Sequence, residues 1–195
     1  MMALPPQNWF QSFTGRHIAV DQPNPEVVDI NDIAHALSNL CRWGGHSNVF
    51  YSIAEHGIRL ARLLPPDLKM IGLLKDAPKA YVGEAQRPLK RLPAMEGWRD
   101  LRDRWALAIG GAFALGQGIR FQPALVREYD ERLTHAEKRD LLGPGDARES
   151  CNLRLAKCVE SIAPMTPRQA LSVFLSDFET YKQVTNFEDE GQEAP

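Results

Sequence analysis

Three side chains able to hold a cation or move a proton stand on three separate helical stretches: His56, Asp76 and Asp130. An imidazole and two carboxylates are donors for a divalent ion, and the same groups serve as general acid or base. Two lysines crowd the middle position. Lys75 precedes Asp76 and Lys79 follows it, so the two ammonium groups lie one turn apart on one helix face. Singly, each residue has an ordinary explanation. A lone helical histidine is more often structural, Asp130 sits in the charged run Val126–Glu131 of a solvated face, and Lys79 reads as a surface lysine. A mid-helix aspartate facing a core, however, needs a partner, because a buried unpaired carboxylate is costly.

These residues require elements that bring them together, and the chain reads as helical by period from about residue 30 onward. Asp32 is placed to cap a helix reaching about Arg42, with Ile33, Leu37, Leu40 and Cys41 on its apolar face and Gly44-Gly45 as its breaker. A second helix, from about Asn48 to Leu64, carries His56 and stops before Pro65-Pro66. Asp67 can cap the next helix, which holds Lys75 and Asp76, and Pro78 predicts a kink or early end there. Gln86 to Pro93 reads as a basic loop with Arg87 and Lys90. Helices follow from about Gly97 to Leu115 and from about Pro123 to Leu142, the latter carrying Asp130. Cys151 to Val159 is open to an extended reading. Thr166 and Gln169 form a capping box, with Pro167 at the first helical position of a last helix ending near Tyr181. The predicted fold class is all-α, in one domain without internal repeat or linker. Residues 1–30 form an irregular arm packed on it, with a hairpin or turn around Arg16–Val20. Residues 31–182 form the helical domain, and residues 183–195 an acidic tail expected to be disordered.

Bulk properties narrow the partners. The net charge is −2, but the last nine residues carry four acids and no base, which leaves the rest near +2. That is too weak for the electrostatic footprint of a duplex-binding protein. The longest apolar run, Trp105 to Gly116, is too short to span a bilayer, so no membrane partner is expected. Three cysteines, Cys41, Cys151 and Cys158, have no CxxC spacing and fit a reducing cytoplasm.

The order His56, Lys75-Asp76, Asp130 on separate helices resembles the H…HD…D layout of the HD-superfamily phosphohydrolases, over roughly residues 8–182. The likeness is to the small bacterial and phage group that includes 5′-deoxynucleotidases and dATP triphosphohydrolases. Asp32 to Trp43, Phe50 to His56, and Arg87-Pro88-Leu89-Lys90 are similar to segments of that group. The resemblance implies a single HD-domain helical bundle with one divalent metal (Mn, Co, Zn, Mg or Fe) held by two His and two Asp. By position, His56, Asp76 and Asp130 match ligands. Lys75 stands where the second His is expected, and Lys79 where the family has a Glu that positions or activates water. Glu84 matches an Asp that contacts the sugar, followed by Ala85-Gln86 in place of a bulky-Pro pair. Arg42 with Trp43 matches the phosphate-binding Arg and a nucleotide-pocket residue, and Arg87 and Lys90 add positive charge for phosphates. A (deoxy)nucleotide partner and a homo-oligomer are implied on the same footing.

Lys75 bears directly on the metal. Two unit charges ~4 Å apart interact by about 4 kcal/mol at an effective dielectric of ~20, so an ammonium beside a +2 ion costs roughly twice that. This is about six decades of affinity at ~1.4 kcal/mol per decade. A neutral Lys75 could ligate, but deprotonation at pH 7 from a reference pKa near ~10.4 costs roughly 4.6 kcal/mol. The expectation is therefore that no metal cofactor is held and that Lys75 pairs with Asp76 and Asp130 in its place, while Lys79 pairs with Asp76. The pocket would keep nucleotide affinity with little or no hydrolysis. Two alternatives remain at this stage: an active metal-dependent (deoxy)nucleotide phosphohydrolase (or an inactivated copy of one), and a structural or interaction protein with a vestigial pocket. His35 and His46 flank the first helix and could reach a ligand. His135, one turn past Asp130, reads as a surface residue. Gly110-Gly111 and Gly116-x-Gly118 follow no strand and do not suggest a phosphate loop.

Overall fold

A computed structural model describes residues 8–145, 151–157 and 159–190, and the side chains of that set up to residue 183. Among the described residues the fold is all-α apart from one antiparallel hairpin, β1 (Trp9–Gln11) with β2 (His17–Ala19), in register Phe10 opposite Ile18. The helices are α1 (Ile30–Asn39), α2 (Ile53–Leu63), α3 (Lys69–Leu74), α4 (Lys79–Val82), α5 (Arg87–Lys90), α6 (Glu96–Ala112), α7 (Ala124–Leu141), α8 (Leu153–Ala156) and α9 (Pro167–Glu190). None is long and apolar enough to cross a membrane.

Several boundaries differ from the sequence reading for local reasons. Asp29, not Asp32, caps α1 by accepting from Asn31 N. Asp32 lies inside the helix and accepts from Thr14 N at 2.7 Å and Thr14 Oγ1 at 3.0 Å, tying the hairpin to α1. Ser52 caps α2 through Glu55 N, so this helix starts later than Asn48. The basic segment after Gln86 winds one helical turn, α5, and Leu153–Ala156 is helical rather than extended. The capping box of α9 forms as read: Gln169 N donates to Thr166 Oγ1 and Thr166 N to Gln169 Oε1. That helix runs on to Glu190, past the end near Tyr181, so the segment read as a disordered tail begins as helix. Residues 191–195 lie outside the described set.

The N-terminal arm belongs to the core. Ile18 is buried with Ile33, Leu37, Ile58, Leu73, Trp105 and Phe174. Trp105 Nε1 donates to Val20 O at 2.9 Å, and its ring stacks on Tyr81 at 4.0 Å between centroids. A second apolar cluster joins α2 to α7 and α8 through Tyr51, Leu60, Val126, Leu133, Leu141 and Ala156. With α9 lying against α1, α2 and α3, α2 is enclosed by the rest of the molecule.

Glycine sets the closest approach inside this arrangement. A Cβ on Gly57 of α2 would lie 2.8 Å from Leu73 O of α3. One on Gly72 of α3 would meet Leu64 Cδ1 at 2.4 Å and Ala61 Cα at 3.3 Å. The two missing side chains let α2 and α3 pack backbone to backbone, and that spacing sets His56 beside the turn that follows α3. Gly57→Ala should therefore lower stability by about 1–3 kcal/mol, since a backbone oxygen cannot rotate away as a side chain can. Urea unfolding measures this directly, and an unchanged midpoint would show that the two helices separate freely.

Candidate functional site

The chain between Leu74 and Lys79 leaves the helix for a tight turn. Ala77 N bonds to Leu74 O and Lys79 N to Asp76 O before α4 begins. This is the early end that Pro78 predicts, and it turns Lys75, Asp76 and Lys79 inward together. His56 comes from the middle of α2, and Asp130, Thr134 and Glu137 from one face of α7. Arg42 and Trp43 come from the loop after α1. That loop is fastened by a single antiparallel bridge between Cys41 and Ser52, with Arg42 N bonded to Tyr51 O at 2.8 Å and Ile53 N to Leu40 O at 3.0 Å. The bridge places Arg42 where it and His56 reach the same carboxylate of α7.

At the centre, Lys75 Nζ lies 2.8 Å from Asp76 Oδ2 and 3.1 Å from Asp130 Oδ1. These two oxygens also face His56 Nε2, at 3.7 Å and 2.9 Å. The His56–Asp130 contact is an ion-pair approach without hydrogen-bond alignment, and both atoms are buried. Lys79 Nζ bonds to Asp76 Oδ1 at 3.0 Å and also pairs with Glu84. Lys90 Nζ reaches the other oxygen of Glu84 at 3.2 Å. His56, Asp76, Asp130, Lys75, Lys79 and Glu84 thus form one charged cluster. Lys75 and Lys79 are only 8% and 7% exposed, which removes the surface explanation of Lys79.

Burial pulls the Lys75 ammonium toward losing its proton, but Asp130 and then Asp76 more than offset this, and it holds its proton more tightly than an ordinary lysine. Burial likewise raises Asp76, and Lys75 and Lys79 together bring it well below the usual carboxylate range. Asp130 follows the same pattern under Lys75 and His56. A lysine held this firmly as an ammonium is neither a neutral metal ligand nor a free amine nucleophile. The donor set does not fit a resident divalent ion as it stands: His56 Nε2, Asp76 Oδ2 and Asp130 Oδ1 converge, but on the ammonium of Lys75.

Behind His56 lies Glu137, the functional residue that the sequence reading missed. It is fully buried, with Oε1 2.6 Å from His56 Nδ1 and Oε2 accepting from Arg42 Nε at 2.6 Å. Arg42 Nη2 also donates to Thr134 Oγ1 at 3.2 Å. Asp130, Thr134 and Glu137 recur at helical spacing, and that i, i+4, i+7 pattern is the signal which could have found it. Arg42 is therefore half committed to an internal pair rather than fully free for a ligand.

Beside the cluster opens a cavity of about 560 Å³, walled by Arg42, Trp43, His46, Glu84, Arg87 and Thr134 among others. Trp43 holds φ of 60° and Gly44 φ of 62°, left-handed backbone that a tryptophan rarely adopts. The fold maintains this conformation where Gly44 passes against Gln86: a Cβ there would lie 2.3 Å from Gln86 Nε2. Among the described residues, buried Trp43 Nε1 has no hydrogen-bond partner. Arg87, largely exposed, stands 3.9 Å from Asp130 Oδ2. His46 reaches the cavity, whereas His35 stacks on Phe13 at 3.8 Å elsewhere. His135 accepts from Asn152 N and takes no part in the site.

No family model matches the chain. It is 30% identical over 172 residues to YfdR of Escherichia coli strain K12, an uncharacterized protein, spanning 88% of this chain and 94% of that one. The chain belongs to the YfdR family. A second relative, an uncharacterized protein of Rhodobacter capsulatus, is 31% identical over 116 residues, covering 55% of this chain and 59% of its own length.

In this YfdR-family protein, Glu137 couples the site to stability. Burial alone would raise its pKa; Arg42, then His56, bring it down from 4.5 to about 2. A depressed folded-state value contributes stability that is complete above the unfolded pKa and is lost as pH falls toward about 2. Glu137→Gln should flatten the acid limb between pH 4.5 and about 2 in equilibrium unfolding. Glu137→Ala, which strands Arg42 and His56, should cost about 3–5 kcal/mol at neutral pH. An acid limb identical to that of the parent would show that Glu137 does not carry this charge.

Proposed function

We propose that this protein is an HD-type nucleotide-binding relative of the metal phosphohydrolases, with Lys75 in place of the metal and with binding that outlasts hydrolysis. The observation that carries the reading is the Lys75 ammonium between Asp76 and Asp130, set beside a cavity lined by Arg42, Trp43 and Arg87. About 560 Å³ lies within the range of roughly 300–1,000 Å³ typical of small-molecule sites. The Trp43 ring, with the Arg42 guanidinium 5.5 Å from its centroid, offers a stacking face for a base. Arg87, the more exposed of the two arginines, suits a phosphate by bidentate pairing.

Hydrolysis needs a water that has lost a proton, and in the related enzymes a metal supplies the acidity. Here Asp76 and Asp130 are paired to ammonium groups and are poor proton acceptors, and Glu84 is engaged by Lys79 and Lys90. Lys79 stands where a carboxylate would orient the water and has no acceptor to offer. What remains is a pocket whose positive groups favour a phosphate and whose machinery for cleaving it is neutralised. A homo-oligomer and a cytoplasmic setting belong to the same reading.

Elemental analysis, calorimetry with deoxynucleoside monophosphates, and a phosphate-release screen test it together. The parent chain should carry no stoichiometric transition metal, bind a deoxynucleotide and release no phosphate. Lys75→His/Lys79→Glu should raise divalent-metal affinity by several decades, of the order of the six argued from Coulomb repulsion, and turn on metal-dependent release. Metal-dependent turnover by the parent would overturn the reading, and absence of any nucleotide affinity would leave a vestigial pocket.

A further inference from the structure

Against Lys75 and Asp76 lies a second, smaller crevice of about 90 Å³. Its charged walls are Lys75, Lys79, Lys90, Arg102 and Arg120, against Asp76 and Asp103. Five cationic groups thus face two carboxylates of the lining, with Asp130 pairing Lys75 from behind it. Arg102 pairs with Asp103, and Arg120 Nε lies 3.6 Å from Asp103 Oδ2, so two guanidinium groups share one acid. Glu84 lends partial compensation from outside by pairing with both Lys79 and Lys90. Burial first, and then the charge of Lys79, weakens the hold of Lys90 on its proton, against the opposing pull of Glu84. The volume is room for about three waters at ~30 Å³ each, or for one compact tetrahedral oxyanion, and is too small for a base or a sugar.

The crevice and the cavity share a wall. Arg87 and Pro88 at the start of α5 face the cavity, and Lys90 at its end faces the crevice. Glu84 lines the cavity while its carboxylate is held by the two lysines of the crevice. One layer of ion pairs therefore separates them. Phosphoryl oxygens entering from the cavity side would replace Glu84 on Lys79 and Lys90, and Asp103 on the two arginines. Arginine pairs with phosphate oxygens in the same forked geometry that it uses for carboxylate.

We infer that the crevice is an oxyanion subsite for a second phosphoryl group, so that the ligand is a nucleoside di- or triphosphate spanning both spaces. The inference rests on the nucleotide reading above. It does not follow from the family resemblance, because Lys75 and Lys79 are positions at which this chain departs from it. The preference for polyphosphate arises from those departures: each replaces a group that would hold a metal or a water with one that holds an oxyanion.

Titration calorimetry on the full chain and on Arg102→Gln/Arg120→Gln tests this with three probes: a deoxynucleoside monophosphate, the matching triphosphate, and inorganic pyrophosphate. Both arginines are partly exposed and lie outside the cavity, so the variant should fold and bind the monophosphate as the parent does. The parent should bind the triphosphate at least tenfold more tightly than the monophosphate, and the variant should erase that difference. Pyrophosphate binding that is lost in the variant, with the monophosphate unbound by both proteins, would retain the oxyanion subsite while removing the nucleotide reading. Equal affinity of parent and variant for triphosphate and pyrophosphate, or no affinity of the parent for either, would overturn the inference.

Discussion

Charge balance in a dry interior governs how this molecule is put together. Asp76, Asp130 and Glu137 are drawn into the centre of the helical domain, and an unpaired carboxylate there would cost several kcal/mol. Each is matched by a cation delivered from a different element: Lys75 from the turn after α3, Lys79 from the start of α4, Arg42 from the loop after α1. His56 sits among all three acids. The helices cannot drift apart without stranding a charge. The close contact allowed by Gly57 and Gly72, the Cys41–Ser52 bridge and the inward turn at Pro78 all serve this one condition.

The same arrangement is what makes the proposed function chemically coherent. Carboxylates that neutralise buried ammonium groups are not available as bases, so the positions at which a related enzyme would activate water are occupied with holding the fold. The cavity carries the opposite bias. Its arginines, together with the lysines around the smaller crevice, favour anions, and Trp43 is kept in left-handed backbone beside them. On the proposed reading, affinity and catalysis have been separated within one site by exchanging two side chains.

Much of this could be read from the residues. The helical class, the capping box at Thr166 and the break at Pro78 follow from period and turn chemistry, and the pairing of Lys75 with Asp76 and Asp130 from the family resemblance together with Coulomb's law. Three things could not. The start of α1 is one: Asp29 carries the same side chain as Asp32 three residues earlier, and only the hydrogen bonds from Thr14 show that Asp32 is used otherwise. Glu137 was hidden in a helix rich in charge, where nothing local distinguishes a buried acid from a solvated one. The second crevice draws Arg102 and Arg120 from across α6 and the loop beyond it, and a joint wall between distant segments leaves no trace in linear spacing.

An ion held by protein ligands comes and goes. Its contribution to stability follows the free concentration of the ion, growing as RT ln(1 + [L]/Kd) and vanishing when the ion is withdrawn. Lys75 delivers its positive charge on a covalent stem from the neighbouring residue of Asp76, so the corresponding contribution has no concentration in it. On the proposed reading the centre of this domain is therefore assembled as the chain folds, whatever the supply of divalent ions, and is undone by proton activity but not by chelation.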